Sequence, residues 1–232
     1  MNRLAELLRR AKYIYQADGP LTLARKLIAF AAGWVFTYET YYLYAKDSST
    51  CREDSGSDFV PEVDGLSFRV IYTNEEADEL EAEGFHFREY AYDARSRLDK
   101  GAVAFCVFVG HELANIGWLS PTQQAKDSLN EPPARVDFSS GEASGGGVWT
   151  NPKYRRMGLH LYCGIKRDEW WLDKGILKMK WVVARRNVPV VTAESKVGNP
   201  VYAEGRLVKV LWWKHWREKP LASASDVSDV VH

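Results

Sequence analysis

The chain of 232 residues has few cysteines, and their arrangement excludes two common kinds of small-protein scaffold. Cys51, Cys106 and Cys163 are odd in number and widely spaced, and they form no Cys-x-x-Cys pair. This pattern predicts neither a disulfide framework nor a zinc site. A reducing compartment, the cytoplasm, is therefore expected, and no metal is expected in the functional site.

The sequence also offers no membrane-spanning segment in its apolar N-terminal region. The uncharged stretch over residues 27–38 has 12 residues, which is too short to cross a bilayer, and no clear small-residue cleavage site accompanies it. The surrounding segment, residues 1–46, combines helical apolar spacing with basic and aromatic residues. Two interpretations stay open: peripheral contact with the inner face of a membrane, or packing on the rest of the chain or on a second protomer in a homodimer.

The formal net charge is zero, but the charges are unevenly distributed along the chain. Residues 47–99 hold 5 Lys/Arg and 15 Asp/Glu, whereas residues 151–219 hold 16 Lys/Arg and 6 Asp/Glu. A basic C-terminal part suits a ligand with several phosphates, although a solvated basic surface is the other interpretation. No nucleic-acid motif accompanies the charge, so no nucleic-acid partner is expected.

The run from Val148 to His160 predicts a phosphate-binding site, because a strand passes through a Pro turn into a helix that begins with arginine and glycine. The N–H groups of a first helical turn and the positive end of the helix dipole bind anions. Gly158 allows a ligand to approach the main chain, and Arg155 and Arg156 supply positive charge.

The same run resembles the coenzyme A signature of the GCN5-related N-acetyltransferases. That signature is Arg/Gln-x-x-Gly-x-Gly/Ala, found here as Arg155-Arg156-Met157-Gly158-Leu159-His160 after Pro152-Lys153-Tyr154. A helix with apolar Leu161, Ile165, Leu172 and Ile176 follows, then a buried strand over residues 179–184. His160 replaces the small residue that usually ends the signature.

A second family landmark follows that strand. The family has a short helix of the form Asn-x-x-Ala-x-x-x-Tyr-x-x-x-Gly, and residues 187–198 of this chain run from Asn187 to Gly198. Gly198 followed by Pro200 predicts the end of the helix, although Val190, Val191 and Thr192 favour a strand. Where the family often places a Tyr that protonates the leaving thiolate, this chain has Glu194.

The resemblance implies an α/β (α+β) fold with a mixed, mostly antiparallel central sheet flanked by helices. It divides the chain into an N-terminal amphipathic helical appendage (1–46), a linker (47–66), a GNAT-like acyltransferase domain (67–219) and a disordered tail (220–232). Within the domain, sequence patterns predict a first strand over 67–72, an acidic helix over 74–83, a hairpin over 102–119 and a last strand over 207–213. Three glycines at 145–147 permit a bulge, the close approach of a ligand or a flexible turn.

The resemblance also implies an activity, which is transfer of an acyl group from acetyl-CoA or a longer acyl-CoA to an amine by direct attack. The cofactor-binding residues would be Trp149, Thr150, Arg155, Arg156, Met157, Gly158, Leu159, His160 and Asn187. A backbone N–H near Trp149 or Thr150, where the strand parts from its neighbour, would polarise the thioester carbonyl.

The candidates for acid and base catalysis are Glu194, Glu142 and Tyr202, and a surface carboxylate is the other interpretation of both glutamates. The acceptor would be a small-molecule or lipid-linked amine. Two alternative functions stay open: a non-catalytic acyl-CoA-binding module, and a membrane-surface transferase that uses long-chain donors or lipid-linked acceptors.

Overall fold

The computed structural model describes Tyr15 and residues 20–22, 36–54, 59–91 and 93–221. Eight strands form one sheet: β1 (Phe36–Asp47), β2 (Leu66–Ile71), β3 (Val103–Val109), β4 (Glu112–Ser120), β5 (Glu142–Thr150), β6 (Lys178–Ala184), β7 (Val201–Val210) and β8 (Trp213–Pro220). Their order across the sheet is β2-β3-β4-β5-β6-β1-β7-β8. The first strand of the sheet in sequence therefore lies near its middle.

Six α-helices are described: α1 (Ser48–Asp54), α2 (Asn74–Ala82), α3 (Ala94–Asp99), α4 (Gln123–Ser128), α5 (Leu159–Asp173) and α6 (Val188–Lys196). Short 3-10 helices span Phe138–Ser140 and Pro152–Tyr154. Helix α2 is the predicted acidic helix, and a capping box fixes its start, since the Thr73 hydroxyl accepts from the Glu76 N–H. Within the described residues, no helix is long and apolar enough to cross a membrane.

The sheet is mixed but mostly antiparallel. The pairs β2–β3, β3–β4, β4–β5, β6–β1, β1–β7 and β7–β8 are antiparallel, and β5 pairs with β6 in parallel. Helices cover both faces of its β2–β5 part, so the predicted fold class is confirmed. The predicted hairpin over 102–119 is present as β3 and β4, joined at Gly110 and His111.

Two apolar clusters hold the helices on the sheet. On one face, here called the α5 face, Phe105 and Leu119 of the sheet pack with Leu159 and Trp171 of α5. On the opposite face, Phe87, Phe108, Ile116 and Trp118 pack with residues of α2, α3 and α4. Each side chain of Phe105, Phe108 and Trp118 is fully buried, so β3 and β4 form the centre of the core.

The buried side of α5 differs from the predicted one. Leu161, expected to face the core, is 40% exposed, whereas the buried residues of the helix are Leu159, Tyr162, Cys163 and Trp171. Leu172 and Ile176 pack against the apolar cluster of this face as predicted, and aromatic and sulfur-containing side chains fill the rest of the space above β3 and β4.

Part of the range assigned to the helical appendage belongs to the sheet. Residues 36–47 form β1, which pairs with β6 on one side and β7 on the other, and its Leu43 is fully buried. An apolar run over 27–38 favoured a helix locally, but in β1 the partners come from distant sequence. The range assigned to a linker contains α1 and the buried residues Cys51 and Pro61. Most of residues 1–35, and the tail beyond Leu221, lie outside the described residues, so those predictions remain predictions.

The last predicted strand, over 207–213, is two strands in the structure. β7 ends at Val210, the chain reverses at Leu211 and Trp212, and β8 begins at Trp213. Leu211 has a φ of 54°, in the left-handed region that allows a tight reversal. Apolar residues occupy this turn, which is why alternation alone did not reveal it.

Candidate functional site

A cleft opens where β5 and β6 part. Their parallel pairing runs from Glu142 opposite Lys178 to Gly145 opposite Trp181. Beyond these residues β5 continues to Thr150 beside β4, while the end of β6 pairs with β1. The separation of the two strands, expected from the resemblance, is therefore present and begins after Gly145.

A bulge lies at the start of this cleft. Ile116 pairs with Trp149 and Trp118 with Gly146, so that Gly147 and Val148 of β5 oppose one residue of β4. Gly147 has a φ of 57°, which a residue with a side chain adopts only with strain. Of the alternatives for the three-glycine run, the structure shows a bulge within a strand, not a flexible turn.

Hydrogen bonds fasten the loop that follows β5. Asn151 accepts from the Lys153 N–H and donates to the Leu113 carbonyl, both through its side chain. Glu112 accepts from the buried Tyr154 hydroxyl and from the Lys153 ammonium, each at 2.6 Å. The Lys153 hydrogen bond, followed by that of Tyr154, lowers the pKa of Glu112. The chain therefore enters α5 from a fixed position on the β3–β4 hairpin.

The start of α5 has the features of an anion site. Gly158 is the N-cap residue, with a φ of 76°, and no side chain caps the helix. The N–H groups of its first turn have no partners within the helix and can receive phosphate oxygens. Arg155, Arg156 and Met157 are exposed beside them. These residues fit the pyrophosphate of coenzyme A, and we call this segment, residues 155–160, the cradle.

An aromatic ring lies against the cradle. A Cβ built on Gly158 would lie 2.6 Å from Cζ of Phe59, so the ring contacts the glycine directly. Phe59 is 38% exposed, and Pro61 just after it is buried. Gly158 is therefore required by packing as well as by its backbone conformation. A ligand approaching Gly158 from this side has to displace the ring.

Two predicted cofactor residues of the cradle point inward. Leu159 is buried in the core, and His160 is partly buried. Burial, and then the charge of Arg167, lower the pKa of His160. Both residues can therefore donate their backbone N–H groups to a phosphate. The lowered pKa of His160, which is itself part of α5, favours the neutral imidazole.

Trp149 and Thr150 are fixed by side-chain contacts. The Trp149 ring stacks on the Tyr90 ring with centroids 5.2 Å apart, and the backbone carbonyl of Trp149 accepts from the Asn115 amide. The Thr150 hydroxyl accepts from the same amide at 2.8 Å. Asn115 is fully buried, so the end of β5 beside the cleft is held rigidly.

The predicted helix after β6 is present as α6, with Asn187 as its N-cap residue. The Asn187 side chain is exposed and makes no cap hydrogen bond, so its amide is available to a ligand. Glu194 is buried and accepts from the Asn199 amide at 2.6 Å. Burial raises the pKa of Glu194, against the opposing effects of the Asn199 hydrogen bond and of Arg167.

Glu142 lies far from Trp149, Thr150 and the cradle. It is the first residue of β5, where it pairs with Lys180 at 2.6 Å and accepts from the Asp137 N–H. Eight residues separate it from Thr150, which corresponds to roughly 27 Å along a strand. The structure thus brings Trp149, Thr150 and the cradle together at one end of β5 and leaves Glu142 at the other.

Tyr202 lies on the opposite face of the sheet, in β7. It lines a small cavity together with Glu131, Ser144 and Trp181. Burial raises the pKa of Tyr202 to about 12. The cavity shares Lys126, Ala134, Val136 and Lys180 with a wider surface depression.

Glu131 is a functional candidate that sequence patterns did not reveal. Its Oε1 atom accepts from the Gly147 N–H at 2.8 Å, at the bulge where the cleft begins. A side chain on Gly146 would overlap the Glu131 carboxylate. Burial raises its pKa, against the Gly147 hydrogen bond and the charges of Arg97 and Lys126. The three-glycine run was the available signal, although its predicted interpretations were a bulge, close approach of a ligand or a flexible turn, and not contact with another side chain.

The described residues contain no group of three or more His, Cys, Asp or Glu side chains suited to a metal ion. Cys51, Cys106 and Cys163 are buried, and they form no disulfide bond with one another. Burial raises the pKa of the Cys163 thiol to about 12, so the thiol is protonated at neutral pH.

The mixed sheet, the parting of β5 from β6 and the uncapped helix after β5 form a fold like that of the GCN5-related N-acetyltransferases. No protein-family model and no curated protein matches the sequence. Several solved structures are similar at low identity, and three of them are described here.

A Drosophila protein has 12% identity and a TM-score of 0.47 over 82% of this chain and 58% of its own. A GCN5-related N-acetyltransferase from Kribbella flavida has 16% identity and a TM-score of 0.35 over 68% of this chain and 53% of its own. The GCN5-related glucosamine N-acetyltransferase region of a fungal multi-domain GH3 β-N-acetylglucosaminidase has 13% identity and a TM-score of 0.47, over 82% of this chain and 23% of that one. At these values the likenesses assign neither substrate nor activity.

Proposed function

We propose that the protein is an acyl-CoA-dependent N-acyltransferase. The observation that carries the proposal is the cleft between β5 and β6, which opens beside the uncapped start of α5. Phosphates would bind the first-turn N–H groups with Arg155 and Arg156, and the pantetheine arm would extend along β5 from Thr150 towards Gly145. Asn187 would contact that arm. The donor would be acetyl-CoA or a longer acyl-CoA.

Attack of an amine on a thioester needs a polarised carbonyl, and the bulge supports this role. The Gly147 N–H donates to a carboxylate oxygen of Glu131, so an N–H on the separated part of β5 already binds an oxygen atom. Because Glu131 already accepts from the Gly147 N–H, we infer that an N–H further along the separated part of β5, at Trp149 or Thr150, would hold the thioester carbonyl and stabilise its developing negative charge.

Glu131 would act as the general base on the acceptor side. Its raised pKa makes the carboxylate a stronger proton acceptor, and it lines the cavity together with Tyr202. The amine nitrogen forms a bond to the carbonyl carbon as its proton moves to Glu131, and the carbon–sulfur bond breaks. Tyr202 would orient the acceptor, and Glu142 would act indirectly by holding Lys180 at the rim of the cavity.

Glu194 would act as the general acid on the α5 face. It stands at the position of the family's Tyr, and its raised pKa favours the protonated form that can donate to the departing thiolate. The two carboxyl groups thus divide the proton transfers between the two faces of the sheet. Both have pKa values raised mainly by burial.

The acceptor would be a small-molecule or lipid-linked amine, in the cytoplasm or at the inner face of the membrane. Peripheral membrane contact and homodimer formation through residues 1–46 stay predictions, because most of that range is outside the described residues. A non-catalytic acyl-CoA-binding module is the alternative, motivated by His160 and Glu194 at positions where the family has other residues.

The proposal is tested by calorimetry with acetyl-CoA and by release of free thiol over a panel of amines. Arg155→Gln removes a charge-assisted contact to phosphate, so the Kd for acetyl-CoA should rise roughly tenfold or more. Lys214→Gln on the distant strand β8 is the matched control and should leave the Kd unchanged. Absence of binding by any acyl-CoA would contradict the proposal, and binding without turnover would support the non-catalytic alternative.

Turnover also tests the assignment of the base. Glu131→Gln keeps the acceptor of the Gly147 N–H bond but removes the basic group, so kcat should fall roughly 10²-fold or more. The Kd for acetyl-CoA should stay the same, because Glu131 lies on the acceptor side. An unchanged kcat would exclude Glu131 as the base.

A further inference from the structure

A cationic side chain that the proposed mechanism does not use lies where β5 and β6 part. Arg167 is on α5. Its guanidinium contacts the sheet at Gly145, the last residue of β5 that pairs with β6. The positive charge therefore stands at the inner end of the cleft.

Two glycines on neighbouring strands make room for the guanidinium. A Cβ built on Gly145 would lie 3.5 Å from Nη1 of Arg167, and one built on Gly117 would lie 3.7 Å from the same atom. Both glycines are buried. A Cβ at either position would be in ordinary van der Waals contact with Nη1, whereas a longer side chain would occupy the space of the guanidinium. The absence of two side chains thus defines the place of the charge.

Arg167 forms no salt bridge among the residues that the structure describes, and the charge of Glu194 acts on it only at longer range. The Nε atom of Arg167 is fully buried and has no hydrogen-bond partner there. The neighbouring carboxylates are engaged elsewhere, since Asp168 accepts from Lys46 at 3.3 Å and from the Trp171 indole at 2.9 Å. Glu194 accepts from Asn199. A partly buried guanidinium without an anion in contact is unfavourable, so an external anion would stabilise it.

The position of Arg167 decides which part of a ligand would supply this anion. It lies on the α5 face, as does the cradle, and nine residues after Gly158 on the same helix, which corresponds to roughly 13 Å. The phosphates would bind at the start of the helix, so they do not reach Arg167. The acyl end of a pantetheine arm that extends from Thr150 to Gly145 does.

We propose that Arg167 binds a carboxylate carried by the acyl group, so that the donor is a coenzyme A thioester of a dicarboxylic acid. This inference rests on the proposed function and specifies its donor. A guanidinium binds a carboxylate through two parallel hydrogen bonds, which a neutral acyl chain does not form. The acceptor is not the source of this carboxylate, because it enters from the opposite face, beside Glu131 and Tyr202.

Calorimetry with succinyl-CoA and butyryl-CoA tests the inference, since the two acyl chains have the same number of carbon atoms and differ in the terminal carboxylate. Succinyl-CoA should bind roughly tenfold tighter or more. Arg167→Met keeps a long side chain without charge, and it should abolish this difference while leaving the Kd for butyryl-CoA within about twofold. Arg155→Gln is the matched control and should weaken both ligands equally, because it removes a phosphate contact.

The outcomes distinguish this inference from the proposed function. If butyryl-CoA and acetyl-CoA bind as tightly as succinyl-CoA, the donor assignment is overturned and the acyltransferase proposal stands. If no thioester binds, both are overturned. A succinyl preference that persists in Arg167→Met would assign the carboxylate to another residue. Should that variant fail to fold, the comparison of the two ligands on the unchanged protein still decides.

Discussion

The two halves of the sheet on either side of the cleft differ in how completely they are covered. In the covered half, β2 to β5, six of the seven residues of β3 are buried. In the open half, β6, β1, β7 and β8, six of the eight residues of β8 are exposed. Helices pack on both faces of the covered half, whereas the open half has smaller clusters around Tyr44 and Leu43.

This difference in packing indicates which wall of the cleft is rigid and which can adjust. The bulge, the Gly147 N–H and the hydrogen-bonded end of β5 belong to the covered half, which dense packing holds in place. Asn187 and Glu194 belong to α6, which follows β6 in the open half. A ligand that enters the cleft would therefore find one fixed wall and one wall with fewer supporting contacts, and adjustment to it is expected in the second.

The largest expected effect comes from removing one tryptophan from each half. Trp118 is fully buried in the covered half, so Trp118→Ala should lower the free energy of unfolding by about 3–5 kcal/mol. Trp213, 53% exposed in the open half, should cost less than about 1 kcal/mol on the same change. Urea unfolding measures both. Equal losses would show that the two halves are equally well packed.

A second effect tests the tightest contact of the open half. A Cβ on Gly205 of β7 would overlap the Trp216 ring and approach Leu43 to 2.9 Å. Gly205→Ala should therefore lower the free energy of unfolding by about 1–3 kcal/mol. Gly164→Ala is the control, since a Cβ there meets no atom within 4 Å and alanine favours a helix. If Gly205→Ala leaves the free energy of unfolding unchanged, the prediction is contradicted, and the Trp216 ring can move aside at little cost.

A third effect concerns the dependence of stability on pH at the bulge. Because the pKa of Glu131 is raised above its ordinary value of 4.5, its stabilising contribution is complete below that value and is lost as pH rises through the folded-state pKa. Glu131→Gln should therefore be more stable than the unchanged protein at pH 7, and the difference should vanish near pH 4. The control is Glu83→Gln, an exposed position. A variant less stable at pH 7 than at pH 4, relative to the unchanged protein, would contradict this sign.

The smallest effect has the opposite sign. The pKa of Glu112 is lowered by Lys153 and Tyr154, so its contribution is present above 4.5 and is lost as pH falls through the folded-state pKa. Glu112→Gln should slightly destabilise the protein at pH 7 and have no effect at low pH. The effect is small because the Glu112 side chain is 34% exposed and solvent screens the pair. Urea unfolding at several pH values measures it, and a difference that grows on acidification would refute the assignment.

Local patterns were sufficient for the β3–β4 hairpin and for helix α2 of the covered half. The hairpin of β3 and β4 consists of two apolar runs around Gly110 and His111, and the capped helix α2 begins after Thr73. Both elements have partners close in sequence. Helix α6 formed despite Val190, Val191 and Thr192, with Pro189 in its first turn and a glycine at 198 just after its end.

The open half depended on contacts that no local pattern records. Residues 36–46 of β1 were predicted to belong to the helical appendage, because the strand partners β6 and β7 lie far along the chain. The turn at Leu211 and Trp212 contains none of the usual turn residues. Of the site, the cradle followed from the residues themselves. Glu131 and Arg167 did not, because glycines on other strands determine where their side chains lie.

The position of β1 inside the sheet has a consequence for folding during synthesis on the ribosome. Leu43 is flanked by Val182 on one side and Ala203 on the other, so one edge of its strand stays unpaired until β6 has been made and the other until β7 has been made. During that wait the nascent chain carries an apolar strand with two free edges, which is a hazard for aggregation. Pairing across so long a separation also slows folding. The strand made first is thus among the last to be secured, and a chain interrupted before β6 would leave it without a neighbour.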